Sequence, residues 1–405
     1  MVTPNSGADR EKVVSKLPPA LHQELKIRAA ELLVDIQVAV AEGIELWRNA
    51  ESARPTVQTA GSAVFSTWLP VGQWEQLKVT CNEREIPYVQ GLAQAVAMWL
   101  EENPSARVRP AEAITRRIVV CNQKGGVGKT AVAAGIAQAL AEGAESVEAV
   151  NRILRELGGS AGELVSHEQR VLLVDYDPQG HLTKQLGHLP IPNKNNSLAL
   201  FMGQQVRDGH VRDLIVPISD ERFGGRLDLL PSCQDAFLLD LLISRDRNRQ
   251  ATLERVLETV EQDYDVILID CPPSLGLAMD AAIFYGRRRP GEKVGASGIL
   301  VVVQAEDSSA DAYDMLREQI EDGVDDWRID IDQLGLVVNL YDGRRGYIAT
   351  SSLQAWKDIG NPPVVGVIPD LKEQREAVRR KKPLFVHAPA LDQAVALRKI
   401  TKEIS

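Results

Sequence analysis

The sequence predicts an α/β fold with a mostly parallel sheet flanked by helices, preceded by a small, mainly α-helical domain. Short, wholly apolar runs typical of buried parallel strands recur after residue 111. Residues 1–110 instead contain two similar halves whose apolar residues follow helical spacing. The 405 residues also exceed the usual size of one hydrophobic core, so we expect domains at about 1–110 and 111–405.

The composition is typical of a globular protein, with 44% apolar and 25% charged residues. The sequence has no apolar run of 18 or more residues, and its N-terminus lacks the charged-then-apolar pattern of a signal segment. The four cysteines are scattered and form no CxxC pair. We therefore expect a protein of the reduced cytoplasm, without a cysteine-bound metal.

The most informative segment is the glycine-rich loop at 124–130, Lys-Gly-Gly-Val-Gly-Lys-Thr, which separates an apolar strand-like run from an alanine-rich helical stretch. Glycines let backbone N–H groups curl around phosphate oxygens, and the helix N-terminus favours negative charge. Lys129 supplies a charge for the β- and γ-phosphates, and Thr130 a hydroxyl for Mg²⁺. This pattern predicts a P-loop nucleoside triphosphatase that uses ATP and Mg²⁺.

The loop departs from the usual Gly-x4-Gly-Lys-Ser/Thr pattern, because Gln123 replaces the first glycine and a second lysine, Lys124, opens the motif. In this it resembles the deviant Walker A loop of the ParA/MinD family. The resemblance implies a homodimer that closes as an ATP sandwich, in which Lys124 reaches the nucleotide of the partner subunit. The nucleotide-binding residues expected in the loop are Lys124, Gly125, Gly126, Val127, Gly128, Lys129, Thr130 and Ala131.

Two further apolar strands end in carboxylates. Asp175 and Asp177 occupy alternate positions at the end of the first strand, so they share one face at the edge where open parallel sheets bind ligands. Asp270 ends the second strand and precedes the proline pair Pro272-Pro273. The resemblance implies that Asp177 orients the attacking water, that Asp270 holds a Mg²⁺-bound water as a Walker B residue, and that Asp175 lies near the metal. Asp177, Lys124 and Lys129 are thus the expected catalytic residues.

Later segments extend the resemblance over nearly all of residues 115–405. The apolar run at 298–304 is followed by Ala305, where the family more often has proline. Asn339 matches the polar residue that meets the adenine in the family, and Pro369 matches the loop that covers the base. We expect both to bind nucleotide, although ordinary strand ends explain them equally well.

The formal charge of −10 argues against a protein that coats nucleic acid, but basic clusters occur at 287–289, 344–345 and 379–382. Such clusters either neutralise phosphates or form ordinary solvated surfaces. The resemblance to ParA proteins favours the third cluster, Arg379, Arg380, Lys381 and Lys382, as a nonspecific DNA-binding surface. The tail at 391–405 lacks the bulky aromatic residues of a membrane-docking helix, so we expect no membrane contact.

The N-terminal region contains an internal repeat at an offset of 52 residues, in which Leu17-Pro18 matches Leu69-Pro70 and Trp47 matches Trp99. Each copy, at about 11–50 and 63–103, predicts one strand and two helices. The predicted elements are 12–17, 20–32 and 35–49 in the first copy, and 64–69, 73–85 and 88–102 in the second. Neither copy can bury its apolar stripe alone, so we expect the two to pair within one chain.

This repeat resembles two ribbon–helix–helix units in tandem, which implies that paired strands enter the DNA major groove. The outward-facing residues would be Lys12, Val14, Lys16, Val64, Ser66 and Trp68, with Lys12 and Lys16 as candidate DNA contacts. Half of this set is apolar, and residues 1–110 hold 11 Lys/Arg against 13 Asp/Glu. A module that only dimerises is therefore the alternative.

Together, the motifs and the resemblance predict a ParA-like partition ATPase, cytoplasmic and nucleoid-associated, stimulated by a ParB-like centromere-binding adaptor that carries the cargo. One alternative is a nucleotide-controlled transcriptional repressor that acts through the N-terminal domain. The other is a MinD-like positioning ATPase on a membrane. An insertion at about 145–167, between the loop and Asp175, is expected to lie on the surface.

Overall fold

The structure is a computed structural model that describes residues 10–32, 34–50, 56–103, 114–158, 163–306 and 308–405. The chain divides into two compact units, Met1–Arg109 and Pro110–Ser405. The first unit contains a two-stranded sheet and the second an eight-stranded sheet. Among the described residues, no helix is long and apolar enough to cross a membrane.

The N-terminal unit repeats the order strand, helix, helix. Its elements are β1 (Arg10–Leu17), α1 (Pro19–Glu31), α2 (Ile36–Asn49), β2 (Ala63–Pro70), α3 (Gln73–Glu83) and α4 (Tyr88–Glu102). All six begin and end within two residues of the predicted bounds. The two strands form an antiparallel ribbon, in which Val14 is opposite Ser66.

Side-chain alternation along the ribbon separates a buried face from an exposed one. Val13, Leu17, Phe65 and Leu69 face the core. The predicted outward set is exposed, and it comprises Lys12, Val14, Lys16, Val64, Ser66 and Trp68. The ribbon therefore presents a mixed face of cations and apolar groups to solvent.

The core of this unit has a pseudo-twofold pattern that follows the 52-residue repeat. Trp47 Nε1 donates to Gln94 Oε1 at 3.0 Å, and Trp99 Nε1 donates to Glu42 Oε2 at 2.9 Å. Because Gln94 stands 52 residues after Glu42, the two bonds are equivalent under the repeat. The indole N–H of each copy thus finds its hydrogen-bond acceptor in the other copy, and these bonds help to hold the two copies together.

Truncation of either buried tryptophan is expected to unfold the whole N-terminal unit. Trp47→Ala or Trp99→Ala should lower the free energy of unfolding of fragment 1–110 by about 3–5 kcal/mol, because each leaves a large cavity. Urea denaturation measures the change, and Trp68→Ala is the matched control because Trp68 is half exposed on the ribbon. A monomeric fragment in sedimentation supports pairing within one chain, whereas an obligate dimer contradicts it.

The second unit is built on a mostly parallel sheet of order β10-β9-β8-β3-β7-β4-β6-β5, in which only β5 is antiparallel to its neighbour. The strands are β3 (Arg116–Cys121), β4 (Val171–Asp175), β5 (Val216–Pro217), β6 (Leu227–Leu230), β7 (Val266–Asp270), β8 (Gly298–Gln304), β9 (Gln333–Tyr341) and β10 (Val364–Pro369). The central strands are mostly apolar because both faces of the sheet are covered, and their polar residues lie at the strand ends. The predicted fold class, an α/β P-loop fold, is confirmed.

Helices cover both faces of this sheet and bury a separate apolar cluster against each. The helices are α5 (Lys129–Ala141), α6 (Ala144–Glu156), α7 (His181–Gln185), α8 (Leu198–Met202), α9 (Leu239–Ile243), α10 (Thr252–Glu261), α11 (Leu277–Tyr285), α12 (Ser308–Trp327), α13 (Tyr347–Asp358), α14 (Glu373–Arg380), α15 (Leu384–His387) and α16 (Asp392–Glu403). Short 3-10 turns lie at Val211–Leu214, Glu221–Phe223, Gln234–Leu238, Arg249–Ala251 and Gly343–Arg345.

Helix α6 belongs to the insertion at 145–167, and it is packed on one side only. Val147 and Val150 are buried in a small cluster with Leu164 and Val395, whereas Leu157 just beyond the helix is 75% exposed. Asn151 closes the insertion by bonding both the N–H and the carbonyl of Leu164, at 3.0 and 2.9 Å.

Candidate nucleotide-binding site

The glycine-rich loop runs from the end of β3 to the start of α5, at the carboxyl edge of the sheet. Gly126 and Gly128 have φ angles of 80° and 86°, in the left-handed region that favours glycine. A Cβ at Gly128 would lie 2.1 Å from Asn339 Nδ2, so no larger residue fits there without a shift. The same Asn339 Nδ2 donates to the Val127 carbonyl at 2.8 Å and thereby ties the loop to β9.

Both lysines of the loop contact neighbouring groups. Lys129 Nζ donates to the Lys124 carbonyl oxygen at 3.1 Å, and Lys124 Nζ lies 3.3 Å from Glu306 Oε2. Glu306 Oε1 also accepts a hydrogen bond from Arg345 Nη1 at 2.9 Å. Burial lowers the pKa of Lys129, and the carboxylate of Asp270 opposes that shift. Lys129 therefore lies within the site, whereas Lys124 is held by a partly exposed carboxylate.

The two strand-end carboxylates Asp175 and Asp270 are register partners on β4 and β7. Asp175 Oδ2 accepts hydrogen bonds from the backbone N and Oγ1 of Thr183, at 2.7 and 2.6 Å. In contrast, Asp175 Oδ1 and both carboxylate oxygens of Asp270 are buried without a hydrogen-bond partner. Burial raises the pKa of Asp175 to about 6, and burial followed by the charge of Asp175 raises that of Asp270 well above its usual range. Such a pair favours a bound cation.

These unpartnered oxygens fit a magnesium ion. Thr130, Asp175 and Asp270 would hold it, directly or through water, since Mg²⁺ in phosphate sites usually keeps several waters and few protein ligands. The described residues contain no group of three or more His, Cys, Asp or Glu placed to hold a metal. A site completed by water and phosphate oxygens is consistent with that sparse set of carboxylates.

Asp177 lies two residues beyond β4 and lines a cavity of about 740 Å³ beside the loop. Its Oδ1 accepts a hydrogen bond from the backbone N of Gln179 at 2.9 Å, and its carbonyl accepts one from Ser232 Oγ at 2.6 Å. These contacts fix a carboxylate at the wall of the cavity that also contains Lys129 and Thr130. The cavity can therefore accept a phosphate chain with a carboxylate close to it.

Part of the cavity wall comes from residues that the sequence did not predict. Gln374, Arg375 and Val378 of α14 line it, together with Lys381 just beyond that helix. These residues lie more than 200 positions from the loop, and no local motif marks them. Lys381, expected among the DNA contacts, thus also faces the nucleotide cavity.

A smaller cavity of about 170 Å³ adjoins the loop on the side of β9 and β10. Asn339, one of the two residues expected at the base, lines it. The other, Pro369, does not line it, and its neighbour Ile368 does. The Pro369 carbonyl instead accepts a hydrogen bond from Gln393 Nε2 at 3.0 Å, and Gln393 itself lines the cavity.

Comparison with known proteins indicates a nucleotide-binding protein of the same class. Residues 118–150, which include the loop, match the CobQ/CobB/MinD/ParA nucleotide binding domain, and residues 160–322 match a domain described as an AAA domain. The chain is 26% identical over 288 residues to the sporulation initiation inhibitor protein Soj of Bacillus subtilis, covering 71% of this chain and 97% of Soj. It is 28% identical over 290 residues to the chromosome-partitioning ATPase Soj of Thermus thermophilus, covering 71% and 95%.

A solved structure is similar over the same share of the chain. It is cobyrinic acid a,c-diamide synthase from Mycobacterium smegmatis with a bound ATP analogue and magnesium, which is 28% identical with a TM-score of 0.51. The similarity covers 71% of this chain and 93% of that one.

The parallel sheet, the glycine-rich loop before α5 and the paired strand-end carboxylates define a P-loop nucleoside triphosphatase. Within that class, the second lysine of the loop, Lys124, and the matched relatives indicate a smaller group of ATPases. The chain is similar to the P-loop ATPases of the ParA/MinD family, and the matched domain and relatives support that assignment.

Proposed function

We propose that this protein is a DNA partition ATPase that binds ATP and Mg²⁺, dimerises on ATP, and then binds nonspecific DNA. A ParB-like adaptor on the cargo would stimulate hydrolysis and release the dimer from DNA. The observation that carries this proposal is the exposed cluster at 379–382 next to a ParA/MinD-type nucleotide site. The partition names of the two Soj relatives support the same function.

In the proposed reaction, the chain's own groups position the phosphates and the attacking water. Lys129 and the loop N–H groups would bind the β- and γ-phosphates, which requires Lys129 to exchange the Lys124 carbonyl for phosphate oxygens. Asp177 would orient the water for in-line attack. Magnesium, when bound, neutralises charge on the phosphate oxygens.

Dimer closure would depend on the exchange of one ion pair for another. Lys124 contacts Glu306 within the chain, and Glu306 is shared with Arg345. Because Glu306 can keep Arg345 as its partner, it would not be left unpaired when Lys124 moves to the nucleotide of the partner subunit. Because Lys124 and Glu306 are both partly exposed, breaking their ion pair costs little free energy.

The three basic clusters differ in the ion pairs that their side chains make. Each arginine of the 287–289 cluster pairs with acidic groups: Arg287 with Glu254, Arg288 with Asp330 and Asp332, and Arg289 with Glu254 and Glu261. In the 344–345 cluster, each arginine also pairs with a carboxylate. Among the described residues, the exposed cations at 379–382 make no such ion pair, so they remain available to phosphates.

Nonspecific DNA binding is expected to depend on ATP and on this cluster. Because Lys381 also lines the nucleotide cavity, the test is Arg379→Ala/Arg380→Ala/Lys382→Ala. Loss of three phosphate contacts should reduce the slope of log affinity against log salt by up to about 3. Fluorescence anisotropy with a nonhydrolysable ATP analogue measures the slope.

The matched control removes three exposed cations elsewhere on the same unit, with Lys357→Ala/Lys399→Ala/Lys402→Ala. This variant should keep the slope of the wild type. Equal slopes for the wild type and the cluster variant would place the DNA surface elsewhere and contradict the assignment.

We propose that the N-terminal unit is a tandem ribbon–helix–helix domain. The antiparallel ribbon, the helix pairs and the pseudo-twofold indole bonds support it. Lys12 and Lys16 on the exposed face are the candidate DNA contacts, although the same face also exposes the apolar side chains of Val14 and Val64.

Two experiments distinguish the alternative functions. Specific binding of fragment 1–110 to one operator would favour the repressor alternative, and ATP-dependent liposome pelleting of the full chain would favour the MinD-like alternative.

A further inference from the structure

The N-terminal unit has an acidic groove, of about 750 Å³, between α2, the end of β2, the start of α3 and the end of α4. Three carboxylates line it, from Glu42, Glu45 and Glu102, of which Glu45 pairs with Arg48 at 3.0 Å. Leu46 and Val71 supply apolar surface, and Val71 is 67% exposed. The groove therefore combines negative charge with apolar walls.

A buried glutamine in this groove lacks a hydrogen-bond donor. Gln73 is only 6% exposed, and its Nε2 donates to the Ala41 carbonyl at 3.0 Å and to Glu45 Oε1 at 2.9 Å. Its Oε1 is buried and has no partner. An unsatisfied buried acceptor costs about 1–3 kcal/mol, so a donor supplied by a ligand would stabilise this arrangement.

The internal repeat shows that the fold does not require these polar groups. The positions equivalent to Gln73, Glu42, Glu45 and Glu102 are occupied in the other copy by Leu21, Gln94, Ala97 and Ala50. An apolar residue thus serves in place of Gln73, and neutral residues serve in place of all three carboxylates. The acidic groove is a property of one copy and not of the architecture.

We propose that this groove binds a basic peptide segment of a partner protein, with an arginine side chain donating to Gln73 Oε1 and to the carboxylates. A guanidinium offers five donors and no acceptor, and its aliphatic stem can pack on apolar walls such as Leu46 and Val71. The same carboxylates repel nucleic-acid phosphates, which excludes this face from DNA contact. The proposal concerns a ligand distinct from nucleotide and DNA, and it does not depend on the partition function.

The test uses the full-length protein and a fluorescein-labelled peptide of three Arg-Leu pairs separated by glycines. The groove variant Glu42→Gln/Glu45→Ala/Gln73→Leu places at each position the residue that the other copy carries. We expect its affinity for the peptide to be at least tenfold lower than that of the wild type, in anisotropy at physiological salt. The charge-matched control Glu24→Gln/Glu83→Gln changes two exposed carboxylates outside the groove, and it should bind within twofold of the wild type.

Any of three results would overturn the proposal: a wild type that does not prefer the arginine peptide over the same peptide with glutamate, a groove variant that binds as well as the wild type, or a control that loses as much affinity as the groove variant. The single variant Gln73→Leu tests the glutamine alone, with the residue that the other copy carries as Leu21; it removes the unpartnered oxygen and the two hydrogen bonds that Nε2 donates. Measured well below the melting temperature of the variant, where the protein is folded, its peptide affinity should be lower than that of the wild type, and an unchanged affinity would contradict the role of Gln73.

Discussion

Lys129→Ala is expected to abolish ATP binding at micromolar nucleotide. Lys129 is the buried cation of the loop, lying in a cavity with Thr130 and Asp177. Removal of one partner of a buried charge pair typically costs about 2–5 kcal/mol, which is roughly a 30- to 4000-fold loss of affinity. Binding of a fluorescent ATP analogue measures the effect, and Lys399→Ala, which changes an exposed lysine of α16, is the control.

The second lysine of the loop is expected to give a different result. Lys124→Ala should bind ATP as a monomer nearly as well as the wild type, because Lys124 points toward Glu306 in its own chain. It should fail to dimerise, since the proposed trans contact is lost. Light scattering with a nonhydrolysable ATP analogue distinguishes the states, and a stable dimer of Lys124→Ala would refute the trans role.

Asp177→Ala is expected to trap the ATP-bound dimer on DNA. Asp177 lines the cavity, yet it is separate from the Asp175–Asp270 pair that fits the metal, so its loss should leave nucleotide and metal binding intact. ATP turnover should fall by roughly 100-fold or more, as for a lost positioned base. Steady-state phosphate release measures turnover, and DNA retention after a chase with competitor DNA measures trapping.

The control for this variant is Asp325→Ala, which removes an exposed carboxylate of α12. It should match the wild type in both measurements. Turnover of Asp177→Ala close to that of the wild type would show that another group orients the water, even if the variant is retained on DNA.

Local sequence patterns predicted the fold class and the loop because both depend on contiguous residues. The apolar strands are buried on both faces, which leaves a clear signal in the sequence. The loop requires left-handed glycines at Gly126 and Gly128 close to a lysine and a helix start, which is also a local requirement. The elements of the N-terminal unit were predicted within two residues because the repeat gave each one twice.

The nucleotide cavity was only partly predictable. Its loop residues and Asp177 follow from motifs, but Gln374, Arg375 and Val378 reach it from α14, which is distant in the sequence. The sequence likewise could not tell that Ile368, and not its neighbour Pro369, lines the smaller cavity. Which side of a strand end faces a cavity depends on how the following chain packs, and here Gln393 of α16 binds the Pro369 carbonyl.

Sequence alone indicated the resemblance to the ParA/MinD family and predicted which lysines would bind phosphate, because the glycine-rich loop is a run of adjacent residues that leaves a local pattern. It could not distinguish among the three basic clusters, since charge neutralisation depends on carboxylates that folding brings near. Glu254 and Glu261 neutralise Arg289 from 35 and 28 residues away, whereas the cluster at 379–382 meets no carboxylate among the described residues. The unpartnered oxygens of Asp270 and Gln73 likewise became visible only in the folded chain, because a missing partner is a property of three-dimensional packing.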